Sequence, residues 1–111
     1  MNNLDSASHA TGRSVYLDDI PVLKNTLHGV VFDSPLPHAK VTSLDVTDAQ
    51  SLPGVEGIFT WRDIPGDNDI GGIIPDEQLF ATDEVHYRGQ PLALIVAADE
   101  HIVRKALELI K

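Results

Sequence analysis

Apolar residues fall at two spacings along the chain, one suited to strands and one to a helix. Strand-length runs lie at residues 27–32, 40–46, 55–60, 84–87 and 92–98. The first, Leu-His-Gly-Val-Val-Phe, carries apolar groups on both faces of an extended chain, which predicts an interior strand whose Gly29 lets a neighbour approach closely. In the second, Leu44 and Val46 alternate with Ser43 and Asp45, the pattern of a half-exposed strand. Residues 92–98 are apolar without interruption, which predicts the centre of the sheet. Behind Asp99, a good N-cap, Ile102, Val103, Ala106, Leu107 and Ile110 recur at helical spacing and predict a final helix laid stripe-down on the sheet. That helix reaches Lys111 with no glycine cap, so further structure is expected beyond it, as at a domain cut.

Turn formers separate these runs. Two prolines in Asp33-Ser34-Pro35-Leu36-Pro37 break the chain after the first strand. Thr47 to Gln50 fits a capping box, with the Thr hydroxyl as cap, and predicts one or two helical turns stopped by Pro53-Gly54. Thr60 and Asp63 repeat that capping logic for a turn ended by Pro65-Gly66. Residues 66–77 hold three glycines, a proline and four carboxylates, which predicts a long loop. Arg88-Gly89-Gln90-Pro91 predicts a turn into the central strand. Residues 1–13 are polar and read as a flexible tail without a packed element. Residues 14–111 then form one α+β domain, a mixed β-sheet packed against helices.

With 111 residues the chain is the size of one domain and has no room for a separate cofactor domain. Hydrophobic residues make up 42%, enough for a core that burial of about two thirds of the unfolded surface requires. There is no cysteine, which excludes disulfides, thiolate metal sites and a cysteine nucleophile, and fits a reducing cytoplasm. Seventeen acidic residues against eight basic ones give a net charge of -9. Nucleic acid and anionic lipid would repel such a chain, so neither is an expected partner. No basic and apolar leader opens the sequence and no apolar run approaches about 20 residues, so a soluble, unexported protein is expected.

Candidate chemistry is sparse. His9, His28, His38, His86 and His101 lack the sequence spacing that brings two imidazoles to one metal, and read as surface or packing residues. Asp67, Asp69 and Gly72 match positions one, three and six of a calcium loop, but Gly71 and Gln78 stand at positions five and twelve and no helix pattern flanks it. No glycine-rich phosphate cradle and no nucleophile elbow occurs. The adjacent acids Asp18-Asp19 and Asp83-Glu84 point to opposite faces of an extended chain and cannot share a substrate. Phe32, Phe59, Trp61 and Phe80 lack the basic neighbours of a nucleic-acid stacking platform and read as core.

The order and spacing of several turns carry more. Residues 12–21, Gly-Arg-Ser-Val-Tyr-Leu-Asp-Asp-Ile-Pro, residues 34–41, Ser-Pro-Leu-Pro-His-Ala-Lys-Val, and Ser43-Leu44-Asp45 resemble the opening of the molybdenum-binding subunit of xanthine dehydrogenases. Leu52-Pro53-Gly54-Val55, the Asp63 to Asp69 stretch and residues 87–93, Tyr-Arg-Gly-Gln-Pro-Leu-Ala, are similar to the same family, the aldehyde oxidase and xanthine dehydrogenase α/β hammerhead domain. The Asp-Ile-Pro-Gly stretch with Asn68 looks more like xanthine dehydrogenases than like carbon monoxide or nicotinate relatives.

The resemblance implies a parent enzyme that hydroxylates purines with oxygen from water. Molybdopterin-bound molybdenum would serve it, with iron–sulfur and FAD centres on partner domains or subunits. In that family the catalytic glutamate and the cofactor-holding residues follow the hammerhead, so no catalytic, cofactor or metal residue carries over to this chain. Its role is then packing against the remaining molybdenum-binding domains and the iron–sulfur/FAD subunit. Tyr16, Pro35, His38, Gly89, Gln90 and Pro91, at the turns where the resemblance is strongest, are the expected interdomain contacts. A different expectation is a free-standing acidic binding module that uses the loop at residues 66–77.

Overall fold

The computed structural model describes residues 5–111. Three strands form an antiparallel sheet in the order β1 (His28–Asp33), β5 (Pro91–Ala97), β3 (Val55–Thr60). A second, two-stranded ladder pairs β2 (Ala39–Lys40) with β4 (Glu84–Val85), also antiparallel. Helices α1 (Ser6–Ala10), α2 (Thr47–Gln50) and α3 (Glu100–Leu109) and two short 3-10 turns, Leu17–Asp19 and Trp61–Asp63, complete the described elements. The α+β class holds, but every described strand pairing is antiparallel, so the sheet is not mixed. No helix of the described residues is long and apolar enough to cross a membrane.

β5 is central as its unbroken apolar run requires: it has a partner on each edge, and Ala93, Ile95 and Ala97 are fully buried on one face. Against that face pack Ala49 of α2, Ala106 of α3 and Ile110 just beyond it. The stripe of α3 thus meets the sheet, and Asp99 Oδ1 accepts from His101 N–H at 2.7 Å to start the helix. Chain 110–111 turns extended instead of prolonging the helix, and Lys111 exchanges two backbone hydrogen bonds with Asp45 (2.7 and 3.1 Å). A smaller cluster of Ala81, Val85 and Leu92 lies under the β2–β4 ladder.

Several local expectations are corrected. β1 is an edge strand with alternating burial and not an interior one, because only β5 borders it and its Gly29 and Val31 face outward. The second strand starts earlier and stops sooner than the expected 40–46: Ala39–Lys40 pair and Val41 N–H still reaches Asp83 O (2.8 Å), after which Leu44 and Val46 pack against the core under the sheet. α2 forms where Thr47 to Gln50 predict it, but the Thr47 hydroxyl caps nothing: Asp45 Oδ1 accepts from Thr47 N–H instead (3.0 Å). Thr60 and Asp63 do form their capping box.

Within the expected tail, residues 1–4 lie outside the described residues, and Ser6–Ala10 are helical. That helix closes on itself: Gly12, at φ +66°, donates to His9 O (3.2 Å) and Arg13 to Ser8 O (2.9 Å), the paired bonds of a glycine C-cap. No residue of α1 is buried.

Candidate functional site

Two turns carry most of the expected contact residues, and the fold laces them together. Ser34 N–H donates to Gln90 O (3.0 Å) and Gly89 N–H returns a bond to Ser34 O (2.8 Å). Gly89 sits at φ +90°, which a residue without a Cβ adopts freely, and this brings the 87–90 turn back onto residue 34. The buried Ser34 hydroxyl donates to Leu36 O (3.0 Å) and accepts from Leu36 N–H (3.2 Å), shaping the proline turn from inside. Pro35, His38 and Gly89 therefore stand on one exposed corner, with Pro91 half-buried behind them.

Gln90 and Tyr16 do not join that surface. Gln90 is 3% exposed, and its side-chain Oε1 accepts from His86 N–H at 2.6 Å. It is an internal pin and offers no contact to a neighbour. Tyr16 lies apart, on the exposed segment between α1 and β1, with its hydroxyl 3.1 Å from His9 Nδ1. The fold also brings His38 and His86 side by side, which their separation in sequence conceals: the ring centroids are 6.0 Å apart, and His38 Nε2 lies 3.0 Å from Glu84 Oε1.

One outward-facing apolar surface was not visible in the residue pattern. On the sheet face away from the helices, cross-strand rows run Val31–Leu94–Phe59 and Gly29–Val96–Gly57. Among the described residues no helix covers these rows, and Phe59 is 45% exposed; with Trp61 at 37% it is corrected from core to surface, whereas Phe80 is buried. The glycines flatten this face. A Cβ on Gly57 would stand 3.0 Å from the Phe59 ring, and one on Gly29 would stand 3.7 Å from Leu94 Cδ1. In the arm before β1, Val15, Leu17, Val22 and Leu23 also stay exposed, Leu17 and Leu23 each by 83%. This arm helps raise the radius of gyration to 19.0 Å, against about 13 Å for a compact domain of this length.

In the 66–77 loop Asn68 and Asp69 turn inward, whereas Asp67, Asp76 and Glu77 stay exposed. Asn68 donates from Nδ2 to Phe80 O (2.7 Å) and accepts from Phe80 N–H (2.9 Å), and Asp69 Oδ1 accepts from Gly71 N–H (2.8 Å). Those atoms hold the loop's own shape, so the arrangement of a calcium loop is not built there. Elsewhere the exposed acids serve local caps: Asp63 is held below the usual carboxylate range by the Thr60 N–H first and the Thr60 hydroxyl second.

Known proteins share both sequence and fold. Residues 11–111 match the family described as aldehyde oxidase and xanthine dehydrogenase, a/b hammerhead domain. Xanthine dehydrogenase 1 of Arabidopsis thaliana is 48% identical over 99 residues, covering 89% of this chain and 7% of that protein. A probable xanthine dehydrogenase subunit of Bacillus subtilis is 36% identical over 107 residues, 96% of this chain and 14% of that one. The structure of reconstituted CO dehydrogenase from Oligotropha carboxidovorans superposes with a TM-score of 0.85 at 26% identity, covering all of this chain and 14% of that one. The chain thus spans a small fraction of its relatives' length, and it belongs to the aldehyde oxidase and xanthine dehydrogenase α/β hammerhead family.

Proposed function

We propose that the chain acts as the hammerhead domain of a xanthine dehydrogenase-like molybdenum hydroxylase in the cytoplasm, a parent enzyme that oxidises purines. Its work there is to pack against the remaining molybdenum-binding domains, and through them to meet the iron–sulfur/FAD subunit. The observation that carries this reading is the unpartnered apolar surface: a sheet face centred on Leu94 and Phe59, together with an arm of exposed aliphatic residues before β1. A monomer gains nothing by leaving such residues in water, where each buried side chain of that size would be worth about 1.5–3 kcal/mol. The occupant of choice is the remainder of a longer polypeptide or its partner subunits, because this unit makes up only 7% to 14% of the relatives' length.

The cofactors belong to the other domains in this reading. Bound there, molybdopterin and its metal supply the oxidative chemistry. This chain's residues do not fit them: it has no cysteine for an iron–sulfur cluster. Among the described residues no buried side-chain nitrogen or oxygen stands without a partner that a pterin or phosphate would satisfy. No catalytic step is therefore assigned to this chain.

An antibody against the domain, used to isolate its natural polypeptide, tests the reading. A polypeptide several times this chain's size that carries molybdenum and oxidises xanthine is the expected result. A product of this chain's own size without molybdenum would overturn it.

A further inference from the structure

We propose that His38, Glu84 and His86 form a binding site for a borderline-soft divalent ion such as Zn2+. Their ligating atoms all lie within 4.8 Å of one another. The proposal rests on this geometry alone and stands or falls independently of the reading above.

The topology explains why residues so far apart in sequence meet. β2 and β4 pair with Ala39 opposite Val85 and Lys40 opposite Glu84. One further step in that register sets residue 38 opposite 86, and alternation along a strand places 38, 84 and 86 on the same face. Both approaches to the site are fixed from behind. Gln90 Oε1 holds the His86 N–H, and the Ser34 hydroxyl holds the proline turn that delivers His38. The backbone bonds between Ser34 and residues 89 and 90 tie the two approaches to each other. Such preorganisation lowers the ordering cost of capturing an ion.

Two imidazoles and a carboxylate are the donor set of three-ligand zinc sites, which leave a fourth position to water. Nitrogen-rich sets of this kind favour zinc and its transition-metal neighbours over calcium and magnesium, which take oxygen ligands. With metal–ligand bonds of about 2.0–2.1 Å, tetrahedral ligand atoms lie about 3.4 Å apart. His38 and His86 are exposed, so no core packing holds their side chains away from that spacing. A simple His38–Glu84 contact would use one imidazole and leave the other idle: among the described residues no hydrogen bond engages the His86 ring, although it stands beside His38. Lys40 stands opposite Glu84 in the ladder, and its charge works against a bound cation. Once bound, the ion staples the 34–38 turn to β4.

Calorimetric titration of the tag-free 111-residue chain with Zn2+ tests this, with Co2+ absorption reporting the coordination geometry. One equivalent of zinc is expected to bind and to resist millimolar Ca2+. Its affinity should fall more than about tenfold in His38→Ala, His86→Ala and Glu84→Gln. His101→Ala, a solvent-facing control on α3, should bind as the parent does. The two site histidines are exposed, so their removal leaves the core intact. Absence of saturable zinc binding, or binding that survives both His38→Ala and His86→Ala, would overturn the proposal.

Discussion

In the central strand Ala93, Ile95 and Ala97 are fully buried, whereas in the arm before β1 Leu17 and Leu23 are each 83% exposed. Both regions carry aliphatic side chains, but they use them for different things. The strand's residues are covered by α2 and α3 from the same chain, so they set the fold. The arm's residues are covered by nothing in the described chain, and the proposed function assigns them to a surface outside it. Aliphatic content alone does not mark a core; a neighbour placed to cover it does.

Substitution in the isolated chain should separate the two regions most sharply. Ile95→Ala is expected to cost about 2–5 kcal/mol of unfolding free energy in a denaturant titration. Leu23→Ala should stay within about 0.5 kcal/mol. Equal losses would dissolve the contrast. In the proposed parent enzyme the order for surface positions reverses: Phe59→Asp should impair assembly with the remaining domains, read by co-purification, while the isolated chain folds as before.

Gly54 lies between these extremes. It adopts φ +91°, and a Cβ there would stand 2.5 Å from Ile102 Cδ1. Gly54→Ala should therefore cost about 1–3 kcal/mol through backbone strain and displacement of Ile102. A smaller effect is expected from Asp99→Ala, which removes the acceptor of the His101 N–H and should cost about 1 kcal/mol, measured as a lower thermal midpoint.

How much of this was legible in the sequence depends on whether a residue's neighbours were local. β3, β5, α3, the Thr60–Asp63 box and the 66–77 loop followed from local pattern, because period, cap and turn chemistry are short-range. The edge position of β1 did not, since apolar residues on both of its faces describe a buried strand and an exposed docking strand equally well. Phe59 and Trp61 were misplaced for the same reason. The 34–38 and 87–91 turns were singled out by family resemblance, but only the fold shows Gln90 turned inward and His38 beside His86. Those two depend on a ladder that joins residues more than forty positions apart in the chain.

The smallest effect concerns acid. Asp45 is held below the usual carboxylate range by the Thr47 N–H and then the Thr47 hydroxyl, and Asp63 likewise by Thr60. A carboxyl whose folded pKa is depressed supports the fold fully above its unfolded value, near 4, and loses that support as pH falls through the folded value. The thermal midpoint should thus hold down to about pH 5 and fall below about pH 4. Asp63→Asn should make that fall shallower; an unchanged slope would remove Asp63 from the account.

Hydrogen exchange measured on the isolated chain and on the intact enzyme decides whether the arm is an interdomain surface. Amides of β5 and α3 should be protected in both, and amides of residues 15–27 should exchange freely in the isolated chain yet become protected in the enzyme. An arm already protected in isolation, or still unprotected in the enzyme, would contradict the assignment of this surface to interdomain docking.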